Sequence, residues 1–199
     1  MGQRSLLVIR YATENNGQTT YHRISRHLQW NWGQFMIHRA AQVVALMNVA
    51  AADRYYHHDA RGHAQGAAVT FCVNQVTGNA QGLNANDDES RYSIADHDNN
   101  NGAFLLDIDT HGQWSFGFLV GRENGGDLAT IATAAEYLNA SGDSVDNIRR
   151  NVDDERADQL VFALAKLREF ERSGHAMNQA TADLLKNPVS GTVKATSLL

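Results

Sequence analysis

An Asn16-Gly17 pair between two runs of β-forming residues is the feature that most restricts how this chain can fold. Both residues of a two-residue hairpin turn must tolerate positive φ, and Asn-Gly meets that need. The flanking runs cover about 3–12 and 18–28. In the second run, even-numbered residues from 22 to 28 share one face and odd-numbered residues from 21 to 27 share the other. The chain is therefore predicted to open with a β-hairpin.

The rest of the chain shows helical and extended patterns in turn. Apolar residues recur at three-and-four spacing after Gly33, which predicts a long helix. Alternating runs predict strands near 67–77, 90–96, 103–109 and 113–120. Later helices are expected from an N-cap at Asp127 to a stop at Gly142, and near 144–151, 153–174 and 176–186. This order predicts an α+β fold, with an antiparallel sheet of about five to six strands, hairpin plus meander, and helices on one face.

The length of 199 residues suits one α+β domain over 1–188, followed by a C-terminal arm over 189–199. We expect the arm to dock on its own sheet or on a second copy, and the second case favours a homo-oligomer. The single cysteine, Cys72, excludes an intrachain disulfide and favours a cytoplasmic location. No signal peptide is recognised, and no stretch approaches the roughly 20 apolar residues of a membrane span.

Charge is distributed unevenly along the sequence. The net charge is −5, yet residues 1–63 hold seven arginines against three acidic residues. Overall acidity argues against a dedicated nucleic-acid-binding protein. A single-stranded nucleic-acid surface on the hairpin is nevertheless an alternative, with basic and aromatic candidates Arg10, Tyr21, Arg23, Arg26, Trp30 and Trp32.

The segment from His27 to Gly33, which joins the hairpin to the first helix, is the main candidate for a ligand site. The first interpretation of this segment is a structural junction between a strand and a helix, because tryptophan is usually buried and Gly33 permits a turn. Polar side chains could line a small-molecule site there, namely Arg4, His27, Gln29, Trp30 and Asn31.

Two segments contain residue types that bind metals. Asp96, Asp98, Asn100 and Asp107 match several positions of a calcium loop, but the glycine is displaced by one residue and the flanks look like strands. A hairpin turn explains them better. A polar loop carries the other set, His57, His58, Asp59 and His63, which could bind zinc or iron. We expect neither a metal nor another cofactor.

Catalytic candidates lie in the segment Leu105–Gly112. Asp107 and Asp109 alternate onto one face, and His111 follows in the turn. Paired carboxylates can divide acid and base roles, so a small hydrolase using His27 or these three residues is an alternative function. A solvated strand face explains the same pattern. Near Arg122, the sequence GRENGGD could hold an anion but matches no phosphate-binding fingerprint.

Three short motifs point to a family. Met1-Gly2-Gln3-Arg4, the His27-Leu-Gln-Trp-Asn-Trp-Gly33 element and the Asp98-Asn-Asn-Asn-Gly102 turn resemble those of bacterial and phage proteins that begin Met-Gly-Gln-Arg and carry His-x-Gln-Trp-x-x-Gly. Ser5 stands where that group has a histidine. The resemblance implies a bacterial or prophage cytoplasmic protein and carries over no catalytic residue. The sequence as a whole favours a binding or accessory protein.

Overall fold

A computed structural model describes residues 4–29, 33–52, 94, 102–120, 130–187 and 192–194. The strands are β1 (Arg4–Asn15), β2 (Gln18–Gln29), β3 (Ala103–Ile108), β4 (Trp114–Leu119), β5 (Ile131–Ala132) and β6 (Thr192–Lys194). The helices are α1 (Gly33–Ala52), α2 (Ala134–Ala140), α3 (Val145–Asn151), α4 (Asp154–Phe170) and α5 (Gln179–Leu185), with a π-helical turn at Glu171–His175 between the last two. The α+β class is confirmed.

The strands form one sheet in the order β5-β4-β3-β1-β2-β6. The predicted N-terminal hairpin is present, with twelve residue pairs from Arg4↔Gln29 to Asn15↔Gln18. Asn16 and Gly17 both have positive φ, 53° and 71°, as the turn requires. The predicted pair β3–β4 is also an antiparallel hairpin.

The centre of the sheet differs from the all-antiparallel arrangement expected from the sequence, because β3 runs parallel to β1. The reason lies in two continuous apolar runs. Residues 6–9 of β1 and 103–106 of β3 are fully buried, so both faces of these strands are covered. Strands buried on both faces are typical of parallel pairing, whereas a half-solvated antiparallel strand alternates polar and apolar residues.

The two faces of the sheet therefore carry separate cores. The first face includes Leu7, Ile9, Phe104 and Leu106, and it packs against helices α1 to α4. The second face includes Leu6, Val8, Ala103 and Leu105, and it packs against Ile94, Met177 and helix α5. One short helix thus lies on the face opposite to the other four, and not all helices share one face.

Side-chain caps set the starts of the later helices. Thr133, Ser144, Asp153 and Asn178 each accept a hydrogen bond from a backbone N–H in the first turn of α2, α3, α4 and α5 respectively. The helix predicted from Asp127 begins at Ala134, because Ile131 and Ala132 pair with β4 as strand β5. Gly142, with φ of 77°, follows the end of α2 as predicted.

Several sequence predictions concern residues that the structure does not describe or describes only in part. The strand near 67–77, Cys72, Asp127 and Arg122 lie outside the described residues. Of the strand predicted near 90–96, only Ile94 is described, and it is buried in a helical turn. In the predicted arm, β6 pairs with Gln18–Thr20 of β2, so this segment docks on its own sheet. None of the described helices is both long and apolar enough to span a membrane.

Candidate functional site

Two arginines lie directly opposite each other in the hairpin, on the second face of the sheet. Arg10 of β1 is the register partner of Arg23 of β2. The Arg10 side chain is 12% exposed, and Arg23 as a whole residue is 8% exposed. Like charges directly opposite on neighbouring strands normally destabilise a sheet. A buried arginine directly opposite a partly buried one therefore needs a specific explanation.

Asp107 of β3 forms an ion pair with Arg10. Its carboxylate accepts two hydrogen bonds from Arg10, 2.7 Å from Nε to Oδ1 and 2.9 Å from Nη2 to Oδ2. The Asp107 side chain is 16% exposed. Such a parallel pair of charge-assisted bonds fixes the plane of the guanidinium as well as its position. The parallel register places Asp107 directly beside Arg10, although 97 residues separate them in sequence.

Tyr21 supports the same guanidinium from β2. The Cζ atom of Arg10 lies 5.0 Å from the centre of the Tyr21 ring, within the range of a cation–π interaction. We call Arg10, Tyr21, Arg23 and Asp107 the arginine cluster. Its members come from three adjacent strands, β2, β1 and β3.

The described hydrogen bonds of the Arg10 guanidinium lie along one of its edges. Both hydrogen bonds to Asp107 use the edge formed by Nε and Nη2. Among the residues that the structure describes, no acceptor bonds to Nη1 of Arg10. Arg10 thus has donors left for a further anion, while its position and plane are already determined.

The two predicted carboxylates have different hydrogen-bond partners in the structure. Asp109 follows β3, and its Oδ1 accepts hydrogen bonds from the backbone N–H groups of His111, 2.9 Å away, and Gln113, 2.7 Å away. Asp109 therefore stabilises the β3–β4 turn, and His111 is exposed in that turn. Asp107 lies in the arginine cluster. The interpretation of Asp107 as part of a solvated outer face is wrong, because it is largely buried and bonded to Arg10.

The predicted site at the hairpin–helix junction is described only in part. Arg4 and Gln29 are register partners, and His27 lies opposite Leu6. Trp30 and Asn31 lie outside the described residues. The junction ends at Gly33, whose added Cβ would lie 1.9 Å from the Ser141 Oγ, so the glycine permits a close approach between α1 and residue 141.

The residues proposed for nucleic-acid binding do not share one surface. Arg10, Tyr21 and Arg23 lie on the second face, whereas Arg26 occupies the opposite face of β2 and is the register partner of Leu7. Trp30 and Trp32 are outside the described residues.

The candidate metal ligands also lie outside the part of the chain that the structure describes, with the exception of Asp107. These are Asp96, Asp98, Asn100, His57, His58, Asp59 and His63. Within the described residues, no group of three or more His, Cys, Asp or Glu side chains could hold a metal ion.

A second polar group near the hairpin turn was not anticipated. The His22 ring stacks on Tyr11 with ring centres 4.7 Å apart, and its Nε2 is 2.9 Å from the Thr13 Oγ1. Burial raises the pKa of the Tyr11 hydroxyl. Within the described residues, these side chains are on the first face, opposite the arginine cluster. No carboxylate bonds to His22 among the described residues, so the group lacks the third member of a catalytic triad.

No protein-family model, no curated protein and no solved structure matches this chain. The inference of function therefore rests on the geometry of the arginine cluster.

Proposed function

We propose that this chain is a binding or accessory protein whose ligand is a small anion held by the arginine cluster. The observation that carries the proposal is the direct opposition of Arg10 and Arg23 on a mostly buried face, with Asp107 and Tyr21 holding Arg10 in place. A fixed guanidinium loses little side-chain freedom when it binds, so its hydrogen bonds to a ligand gain more net free energy.

The position of the cluster within the sheet supports the same proposal. Asp107 is the penultimate residue of β3, and Arg10 is its partner on the parallel strand β1. The carboxyl end of parallel strands is a common place for ligand binding in open sheets. The junction residues Arg4, His27 and Gln29 lie toward the opposite end of the hairpin ladder and are therefore separate from the cluster. We propose the ligand site at the cluster.

A hydrolase is less well supported than a binding protein. Both oxygens of Asp107 are bonded to Arg10, and Asp109 Oδ1 is bonded to the turn backbone. Acid–base catalysis requires a carboxyl group within reach of a substrate proton. Asp107 and Asp109 are instead bonded within the sheet and its turn.

A single-stranded nucleic-acid module is also less well supported. Such proteins combine a continuous basic groove with exposed aromatic rings. Here Arg23 is buried, and Arg26 lies on the opposite face. The bacterial or prophage origin and the cytoplasmic location are part of this proposal, supported by the family resemblance and by the single cysteine.

The proposal is tested by thermal unfolding of the wild-type chain with phosphate, acetate, a mononucleotide, a single-stranded oligonucleotide and divalent metals at equal ionic strength. A ligand at a hundredfold excess over its Kd adds about 2.7 kcal/mol to the free energy of unfolding. For a chain of this size, that raises the melting temperature by roughly 5 °C or more. We expect this increase with at least one small anion.

The Arg26→Gln variant is the matched control, because Arg26 is in the same strand on the opposite face. It should keep the stabilisation by anions, whereas Arg23→Gln should reduce it. The proposal is wrong if no small anion stabilises the wild-type chain. A larger increase with the oligonucleotide than with any mononucleotide would favour the nucleic-acid alternative.

A further inference from the structure

We infer that the ligand presents two oxygens of one carboxylate or phosphate group to the outer edge of the Arg10 guanidinium, formed by Nη1 and Nη2. This inference rests on the proposed function, since it names the chemical group that the cluster recognises. Carboxylates and phosphates share the required feature, which is a pair of oxygens on one atom at the spacing of the guanidinium fork.

The geometry of the guanidinium carries the inference. Its planar group has five N–H donors, and two of them are used by Asp107 along the edge formed by Nε and Nη2. The adjacent edge points away from the Arg10 backbone and holds one hydrogen of Nη1 and the second hydrogen of Nη2, while the other hydrogen of Nη1 lies on the side of Cδ. The part of the chain that the structure describes offers no acceptor for Nη1. The Arg10 side chain remains 12% exposed.

Tyr21 and Asp107 restrict that edge to one orientation. The ring of Tyr21 lies against the guanidinium, and the two bonds to Asp107 prevent rotation in the guanidinium plane. Asp107 is therefore a positioning residue for Arg10. An anion that accepts two parallel hydrogen bonds on two oxygens gains from this arrangement, whereas a spherical ion such as chloride offers one acceptor atom to both donors.

The test is a calorimetric titration of the wild-type chain with inorganic phosphate, acetate and chloride, repeated with Arg10→Lys. Lysine keeps the positive charge but presents a point charge in place of the fork. We expect Arg10→Lys to weaken phosphate or acetate binding by about 10-fold or more. The matched control Arg26→Lys, on the opposite face of β2, should change the Kd less than about 2-fold.

The relative affinities of the probes identify the ligand group. Tighter binding of phosphate than of acetate indicates a phosphate-bearing ligand, and the reverse order indicates a carboxylate-bearing ligand. Either order supports the inference. Chloride binding as tight as that of both oxyanions would overturn it.

The wild-type chain permits a measurement without any substitution at Arg10. In a nitrogen-15 spectrum of the arginine side chains, phosphate or acetate should shift the Arg10 Nη resonances more than the Nε resonance, because Nε remains bonded to Asp107. This measurement decides the question if Arg10→Lys does not fold. A titration that moves other arginine resonances and leaves those of Arg10 unchanged would contradict the inference.

The role of Asp107 is tested by a double-mutant cycle. In an Asp107→Asn background, the guanidinium loses a charged partner, so the fold-loss caused by Arg10→Lys should become smaller. An unchanged fold-loss would show that Asp107 does not position Arg10. Failure of every anion to bind the wild-type chain refutes the proposed function itself, whereas binding that is unaffected by Arg10→Lys and leaves the Arg10 resonances in place refutes only this inference.

Discussion

At the scale of single residues, a partly buried ion pair and a partly buried carboxyl group have different roles. Arg10 and Asp107 satisfy each other across β1 and β3. Removing one partner from a buried pair typically costs about 3–5 kcal/mol, since the other charge is left uncompensated. Half-buried Glu171 instead accepts a hydrogen bond from the Ala134 backbone N–H, 2.9 Å away, at the start of α2. Burial raises the pKa of the Glu171 carboxyl in spite of that bond.

This raised pKa makes stability depend on pH. The folded state holds the Glu171 proton more tightly than the unfolded state, so stability falls as pH rises from the ordinary glutamate value through the raised pKa. Glu171→Gln removes this loss and keeps an acceptor oxygen for Ala134. We expect the free energy of unfolding of the variant, relative to wild type, to increase from about pH 4 to about pH 7 in urea titrations.

Glu136 also makes stability depend on pH, but in the opposite direction. Hydrogen bonds from the Thr133 backbone and hydroxyl lower the pKa of the Glu136 carboxyl, so this residue adds stability that is lost as pH falls. Glu136 is present in both proteins, so its hydrogen bonds to Thr133 act in both, and its charge is one of the causes of the raised Glu171 pKa that the comparison measures. A difference that stays constant over the whole pH range would contradict the role given to Glu171.

At the scale of elements, α1 depends on residues from another part of the chain. The first turn of this helix contains no acidic residue. Asp143, after α2, supplies the missing cap, since its Oδ2 accepts from the Gln34 backbone N–H at 2.9 Å. The contact requires Gly33, because an added Cβ there would lie 2.5 Å from the Ser141 Cβ. The start of α1 is thus determined by tertiary packing.

We therefore expect Gly33→Ala to destabilise the fold by about 1–3 kcal/mol, although alanine favours helices. Ser141→Gly removes both atoms nearest to the added Cβ. In the Ser141→Gly background, Gly33→Ala should therefore cost much less stability than it costs in the wild-type chain. A double-mutant cycle of chemical denaturation measures this difference. Additive losses in the two single variants would contradict the close approach.

Part of the outer edge of β4 is hydrogen-bonded by residues that are distant in sequence. His175 Nδ1 donates to the Trp114 carbonyl at 2.9 Å, and the Met177 backbone N–H donates to the Phe116 carbonyl at 2.8 Å. The His175 ring also stacks on Trp114, with centres 3.8 Å apart. The segment that follows α4 thus satisfies this part of the β4 edge, where strand β5 does not reach. Satisfied edges resist pairing with other chains.

At the scale of the whole molecule, a sheet covered on both faces explains the parallel pair β1–β3 and the buried position of the arginine cluster. Leu105 and Leu106 are neighbours on β3 and are both fully buried, but they belong to different cores. We expect Leu105→Ala and Leu106→Ala each to cost about 2–5 kcal/mol in chemical denaturation.

Leu184→Ala is the control for those two variants, because Leu184 is 60% exposed on α5. It should change stability by less than about 0.5 kcal/mol. A small loss for Leu105→Ala beside a large one for Leu106→Ala would show that the second face is not a packed core.

Local sequence signals determined much of the architecture. Asn16-Gly17 between β-forming runs defines the hairpin, and the alternation in β2 alone places Arg23 and Arg26 on opposite faces. Apolar spacing defined α1, and a glycine marked the end of α2. These features depend on turn conformation and on periodicity within one element, so neighbouring residues are sufficient to predict them.

The candidate site depended on tertiary structure. The sequence marks Arg10 as a candidate basic surface residue and Asp107 as a candidate catalytic carboxylate, but their pairing spans 97 residues. The continuous apolar runs at 6–9 and 103–106 were the available signal that both faces are buried. Such runs do not specify which strands become neighbours. That choice follows from packing two cores at once, which only the complete fold decides.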